Sequence, residues 1–204
     1  MKRSVIINWT MFSCLLILFS FGCEKQNTKY YIQDSFKQWV LFQKGSHWVY
    51  LNEKSQVLDC TFISKPPVTY MTPPEPASIQ HEELIYSFTS GFLVNGYLES
   101  GRMKNIYFLG DFLSSSHALT AAMINNSSSK PFFDNCWLIE RIDSLIINNV
   151  IFNDVIHTRD SNEIHADFCI KDYYFVKNIG LIKFSITTAE FDSTWSLVRW
   201  KVVQ

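Results

Sequence analysis

The chain has 204 residues and a formal net charge of −1, with 47% hydrophobic and 16% aromatic residues. That length suits one domain with a real core, and an excess of Phe, Tyr, Ile and Val over Ala favours strands over helices. A near-neutral balance excludes the basic face that nucleic acid requires, and no run of like charge marks a membrane-surface patch.

Met1-Lys2-Arg3 opens the chain, and residues 5–21 are apolar apart from Asn8, Thr10, Ser13 and Ser20. A basic stretch followed by an apolar one is the layout of a secretory signal. Ser20-Phe21-Gly22-Cys23 resembles the lipobox of bacterial lipoproteins, in which a small residue precedes a cysteine that is acylated before cleavage. Gly22 fits that pattern; Ser20 departs from it, because the family usually places Leu or another aliphatic residue there. The resemblance implies cleavage between Gly22 and Cys23 and lipidation of Cys23 with palmitate-type chains. It also implies an exported protein anchored by lipid to the cell envelope, at the outer membrane. An uncleaved anchor of the roughly 18 to 20 apolar residues a span needs, and plain secretion with an incidental Cys23, are the alternatives. Acylation is favoured physically, since each buried methylene contributes about 0.8 kcal/mol and two or more chains hold a protein stably.

This divides the chain into a signal over 1–22, a lipidated tether over 23–34 and a single β-rich domain over 35–204. Removing 1–22 takes Lys2 and Arg3 from the 18 basic residues, so 16 stand against 19 acidic ones, net −3.

From Trp39 the chain reads as short strands separated by turns. "HWVYLNEKSQVLDCTFIS" is two alternating runs hinged at 52–55, a hairpin by composition. Residues 65–78 hold Pro66, Pro67, Pro73, Pro74 and Pro76, five of the six prolines, and read as a surface loop, because proline cannot donate to a ladder. In "ELIYSFTSGFLVNGYLES", Leu84, Tyr86 and Phe88 share a face, and Asn95-Gly96 predicts a hairpin turn, since both tolerate positive φ. "MKNIYFLG" is a further strand. "SSSHALTAAMINNSSS" is the one helix candidate: Ser115 or Ser116 can cap it, and Leu119, Ala122 and Met123 share a face, with loop at 127–129.

"IERIDSLIINNVIFNDVIHTRD" carries an Asn148-Asn149 turn between apolar runs. A turn over 159–162 leads into "EIHADFCI", and "YYFVKNIGLIKFSI" then places Ile182, Phe184 and Ile186 on one face. "TWSLVRWKVV" closes the chain, and its apolar phase shifts between Leu197 and Val198, which predicts a bulge or a strand covered on both faces. About ten strands at hairpin spacing predict a mainly β fold: an antiparallel sandwich or a curled, partly closed barrel with at most one short helix.

Cys60, Cys136 and Cys169 follow the anchor. Cys60 shares a strand face with Leu58 and Phe62 and reads as a buried small apolar residue. If one pair oxidises in an exported domain, Cys136 with Cys169 is the expected disulfide.

"KGSHWVYLNE", "INNVIFNDVI", "YYFVKNIGLIKF" and "WSLVRWKV" occur in an order that resembles uncharacterised small lipoproteins of Bacteroidetes, with a Gly-x-x-Trp-x-Tyr opening strand and a Tyr…Gly-aliphatic-aliphatic segment before the last strand. Asn149 stands where that family usually has Gly. The resemblance implies an exported, lipid-anchored β-domain without assigned activity. More loosely, it extends to curled sheets that carry lipid or lipoprotein cargo. It also makes Asp143-Ser144-Leu145 and Asp192-Ser193-Thr194 candidate O-glycosylation tripeptides, although such tripeptides are common in turns and the turn reading is preferred.

Catalytic motifs do not emerge. "HEELI" lacks the second histidine that a zincin needs one helical turn on, Ile85 standing in its place. His157, Asp160, Glu163, His165 and Asp167 bracket one predicted turn and could converge on a cation, but polar residues collect at hairpin ends in any case. No nucleophile elbow, P-loop or dinucleotide glycine pattern occurs. The adjacency of Ser116 and His117 says nothing about pairing in space. Trp39, Trp48, Tyr50, Trp137, Trp195 and Trp200 read first as core, and second as a sugar platform or an apolar pocket lining. The sequence therefore implies no catalytic residue, no metal and no cofactor. The expected partners are the membrane, through the lipid anchor, and an envelope protein or an apolar ligand. A lipid carrier, or a hydrolase of envelope or extracellular polymers, is the alternative.

Overall fold

A computed structural model describes residues 28–71, 79–89, 93–101, 104–111, 115–120, 136–162 and 169–204. The signal, Gly22 and Cys23, the loop at 127–129, and Glu163, His165 and Asp167 lie outside the described residues.

The elements in order are β1 (Thr28–Tyr30), α1 (Asp34–Val40), β2 (His47–Asn52), β3 (Leu58–Ile63), β4 (Val68–Met71), β5 (Ile79–Thr89), β6 (Leu93–Gly101) and β7 (Lys104–Asp111). They continue with β8 (Ser115–Thr120), β9 (Cys136–Ile147), β10 (Val150–Asn162), β11 (Cys169–Val176), β12 (Gly180–Thr188) and β13 (Asp192–Lys201). A seven-stranded antiparallel sheet runs β3-β2-β13-β12-β11-β10-β9, and β5-β6-β7-β8 extends it through a two-residue corner where Phe62 and Ile63 meet Thr89 and Phe88. β1 and β4 pair other stretches of β5. β8 lies close to β10, so the sheet curls until its ends approach, while no ladder among the described residues closes it. The predicted mainly β, curled architecture forms, with one short helix among the described residues.

Local chemistry sets the turns. Asn52 Oδ1 accepts hydrogen bonds from the Lys54 and Ser55 amides at 3.0 and 2.7 Å, fixing the β2–β3 hairpin where expected. Asn148 and Asn149 sit at φ 49° and 65°, the left-handed pair of a tight two-residue turn between β9 and β10. The expected bulge in the last strand is also present: β13 changes register on β2 between Leu197 and Arg199.

The core is the concave side of the seven-stranded sheet. Ile182, Phe184 and Ile186 are buried on one face of β12, as alternation predicts, with Tyr173 and Phe175 of β11 and Tyr50 of β2. Phe184 stacks on Trp195 at 6.2 Å and meets Tyr50 edge-on at 5.7 Å. α1 closes one end, burying Phe36, Trp39 and Val40, while Asn178 in the β11–β12 turn donates its amide to Gln38 O at 2.7 Å. Trp48 Nε1 donates to Ile179 O at 2.7 Å, and Tyr50 Oη donates to Leu181 O at 2.9 Å. Trp39, Trp48, Tyr50 and Trp195 are therefore core residues, with Trp200 packed against them.

Several expectations are corrected. The helix is at Asp34–Val40, not near Ser115, where the chain instead forms β8 on the edge of β7. The part of the expected tether from Thr28 onward belongs to the fold, since β1 pairs with β5 and Ile32 is buried. Four proline-free residues inside the expected 65–78 loop form β4, an edge strand on β5. Asn95 and Gly96 lie inside β6, paired across to β5 and β7, rather than in a turn. β10 runs straight through the expected turn at 159–162.

Cys60, Leu58 and Phe62 share a face as expected, but it is the outer one, with Leu58 60% and Phe62 40% exposed and Cys60 exposed as well. Asp59, Thr61 and Ile63 point inward instead, and Thr61 Oγ1 is a buried side-chain oxygen with no hydrogen-bond partner. No disulfide joins Cys136 to Cys169. Cys136 pairs with Asp160, and Cys169 with Asn162, on opposite sides of β10. Two strand spacings amount to about 10 Å, beyond the reach of a disulfide.

Candidate functional site

Alternation puts a second set of side chains on the convex face of the same strands. Pairing aligns Glu140 with His157, His157 with Tyr174, Tyr174 with Lys183, Lys183 with Ser196, and Ser196 with Leu51. One transverse row thus crosses β9, β10, β11, β12, β13 and β2, and pairing of Leu51 with Leu58 carries it onto the exposed apolar face of β3.

The row is organised around His157. Its Nε2 lies 2.9 Å from Asp172 Oδ1 and its Nδ1 3.3 Å from Glu140 Oε1, so each ring nitrogen faces a carboxylate oxygen. Tyr174 stacks flat on the imidazole, ring centroids 4.2 Å apart and planes 10° apart. That cover leaves His157 only 5% exposed although it stands on the outer face. Arg159, two residues along the same strand, grips Asp172 with both ends of its fork: Nε donates to Oδ1 at 2.8 Å and Nη2 to Oδ2 at 3.1 Å. Farther along, Glu53 from the β2–β3 turn takes the Ser196 hydroxyl at 2.5 Å and the Lys183 ammonium at 3.1 Å.

These contacts set the charge states. Burial alone would push the Asp172 carboxyl up, but hydrogen bonds from His157 and Arg159 and their positive charges more than reverse it, holding it below the usual carboxylate range. The Ser196 hydrogen bond lowers Glu53 against an opposing burial effect, with Lys183 assisting. The hydrogen bond to Asp172 raises Arg159. Burial raises the Tyr174 phenol, reinforced by the Asp172 and Glu140 charges. Asp172 and Glu53 are therefore held as carboxylates, the one by the Arg159 fork and the other by Ser196 and Lys183. A general acid requires the reverse, a carboxyl held protonated near neutrality.

The expected cation set at the β10–β11 hairpin divides instead. His157 is on the outer face and Asp160 on the inner one, opposite Lys171. No group of three His, Cys, Asp or Glu among the described residues is arranged to hold a metal. Inside, Asp160 and Lys171 are 5% and 3% exposed and pair across the strands beside Cys136. Burial, aided by the Asp160 charge, pushes the Cys136 thiol well up, so it is not a nucleophile.

Glu53, Glu140, Arg159, Asp172, Tyr174 and Lys183 were not singled out by the sequence. The signal was present in "HTR" and "DYY", where His157 and Arg159, and Asp172 and Tyr174, are two apart and so share a strand face.

No protein-family model matches the chain, and no curated protein matches it. Among solved structures it is similar to a candidate exported protein with a YmcC-like fold from Bacteroides fragilis, with a TM-score of 0.47 and 10% identity over 78% of this chain and 97% of that one. It is also similar to a candidate lipoprotein from Parabacteroides distasonis, with a TM-score of 0.41 and 11% identity over 78% of this chain and 96% of that one.

Proposed function

We propose that this chain is a cell-envelope lipoprotein, held at the outer membrane through an acylated Cys23, whose β-domain binds an envelope partner and catalyses no reaction. The anchor follows from the basic start, the apolar run over 5–21 and Gly22-Cys23. Acyl chains on one residue supply stable attachment because each buried methylene adds about 0.8 kcal/mol.

The observation that carries the binding reading is the convex polar row. Asp172 and Glu53 are pinned by Arg159, His157, Lys183 and Ser196, and so present a preset polar pattern. Preset, mutually held polar groups suit recognition, because little side-chain freedom is lost on contact. Aromatic side chains meanwhile fill the described part of the concave face, where an apolar cargo would otherwise sit.

Fractionation and intact mass test the anchor. The parent should be acylated and membrane-bound, whereas Cys23→Ser should lack the acyl mass and leave the membrane fraction. Incubation of the purified protein with peptidoglycan and with envelope polysaccharide tests the binding reading. Pelleting with polymer or envelope protein, weakened by Arg159→Glu, supports it. Release of soluble fragments would replace it with hydrolysis, and co-purified lipid would replace it with carriage.

A further inference from the structure

The region where the tether enters the fold carries a second surface. Thr28, the first residue of β1, lies five residue steps after Cys23, with four residues between them. A fully extended segment of that length reaches at most about 17 Å. An acyl group on Cys23 therefore fixes the bilayer within about that distance of β1, whatever path the intervening residues take.

β5 determines what lies there. β1 pairs its Tyr30 with His81, and β4 pairs its Met71 with Glu82 and its Val68 with Ile85. The two short strands thus follow one another along β5. At about 3.3 Å per residue, Met71 lies roughly 10 Å from Thr28, and Val68 roughly 20 Å. The Ile32 amide donates to Glu82 Oε2 at 2.8 Å, which ties the chain after Tyr31 to the same level of β5.

This corner is apolar and open. Tyr31 is 62% exposed, Val68 49%, Tyr70 48% and Met71 37%. All four residues of β4 are exposed. Lys29 and Lys65 flank the patch and are exposed too. Tyrosines and aliphatic side chains rimmed by lysines are the composition of a headgroup-level contact: ring bodies enter the acyl boundary, hydroxyls stay at the water, and ammonium groups meet anionic lipid. β4 pairs only with β5 among the described strands. A bare apolar edge of this kind invites aggregation unless something covers it.

We propose that the β1–β4 edge rests on the bilayer that holds Cys23, so the domain stands on its membrane with Tyr31, Val68, Tyr70 and Met71 at headgroup level and its convex polar row left for a partner. This rests on the anchoring reading above. The exposed apolar tip of the β9–β10 hairpin, where Ile146 and Ile151 are 68% and 62% exposed, is the internal control, because its strands stand at the other end of the strand order from β5, which β1 and β4 pair.

The test uses the acylated mature chain with Cys60 and Cys169 replaced by Ser, reconstituted into phosphatidylethanolamine–phosphatidylglycerol vesicles. A bimane label is placed through Tyr70→Cys in one sample, Val68→Cys in a second and Ile151→Cys in a third. Lipid carrying a doxyl group near the headgroup should quench positions 70 and 68 several-fold more strongly than position 151. Equal quenching at all three, stronger quenching at 151, or none anywhere overturns the proposed orientation while leaving the anchor intact. Intact mass keeps the two readings apart: a mature chain without acyl groups defeats the anchor and this inference together.

Discussion

Gly180 opens β12 at φ +90°, directly after the β11–β12 turn. An alanine there would meet two separate penalties. The backbone one is the cost of holding a residue with a Cβ in a left-handed conformation, about 1 to 2 kcal/mol. The packing one comes from Phe42, since the added Cβ would lie 2.8 Å from Cε2 and 3.1 Å from Cζ of that ring. Phe42 has little room to yield. It is 3% exposed and edge-on to Trp48 at 5.1 Å, and Trp48 is itself bonded to Ile179 O, next to Gly180. Forcing a methyl into such a site costs a further 1 to 3 kcal/mol or so. Gly180→Ala should therefore destabilise by about 2 to 5 kcal/mol, a large share of a typical domain's stability.

Gly45 separates the two penalties. Its φ is +94°, but a Cβ there would meet only Val203 Cγ2, at 3.9 Å. Gly45→Ala should cost the backbone share alone, about 1 to 2 kcal/mol. Urea unfolding followed by tryptophan fluorescence gives both values at constant m. Adding Phe42→Ala to Gly180→Ala should cost less than the two single changes summed, because they share one contact. Losses for Gly180→Ala and Gly45→Ala that agree within about 0.5 kcal/mol, or strict additivity with Phe42→Ala, would show that the ring does not confine this site.

Asp172→Asn should cost about 2 kcal/mol at neutral pH, because it weakens the forked hydrogen bonds from the Arg159 guanidinium and the contact with His157. Since the folded Asp172 carboxyl is held low, its contribution is complete above the ordinary carboxylate range and lost as pH falls through the lower folded value. The parent should thus lose its advantage over Asp172→Asn on acidification below about pH 4, and an advantage unchanged down to full acid unfolding would refute that sign. With a thiol reagent at pH 8, Cys60 should react at once and Cys136 only after unfolding; rapid native labelling of Cys136, located by peptide mass, contradicts its burial. Thr61→Val removes a buried hydroxyl without a partner and should stabilise by about 1 kcal/mol, whereas a net loss would mean that the hydroxyl has a partner after all.

What the sequence revealed about the fold was what local chemistry determines. Asn148-Asn149 turns the chain because both residues tolerate positive φ, and the Leu197–Val198 phase slip is a bulge, one of the two readings a break in alternation allows. The errors fall where pairing overrides a local preference. The segment from Ser115 has a helical cap and spacing, yet the free edge of β7 offers a ladder, and Leu119 becomes fully buried as part of a strand. Asn95-Gly96 is tolerated inside β6, flanked on both sides by partners that supply its backbone hydrogen bonds. The true helix was missed for the opposite reason. Gln33 makes no side-chain cap and only seven residues follow, although Phe36, Trp39 and Val40 at spacings of three and four carried the signal.

The polar row was hidden by period and register. Read along the chain, His157 and Asp160 look like neighbours that could share a cation. In a strand, an odd separation sends two residues to opposite faces, and β10 does this. The residues that do meet His157 come from other strands, 17 positions back at Glu140 and 15 ahead at Asp172. Their meeting depends on register alone: His157 opposite Tyr174 and Arg159 opposite Asp172 preserve one index sum, so placing the hairpin centre places every contact. A turn assigned at 159–162 removes Arg159 from the strand and misplaces that centre. Cys60 follows the same logic on the other edge of the sheet: alternation correctly grouped it with Leu58 and Phe62, but only the neighbours of β3 decide which of its two faces is inside.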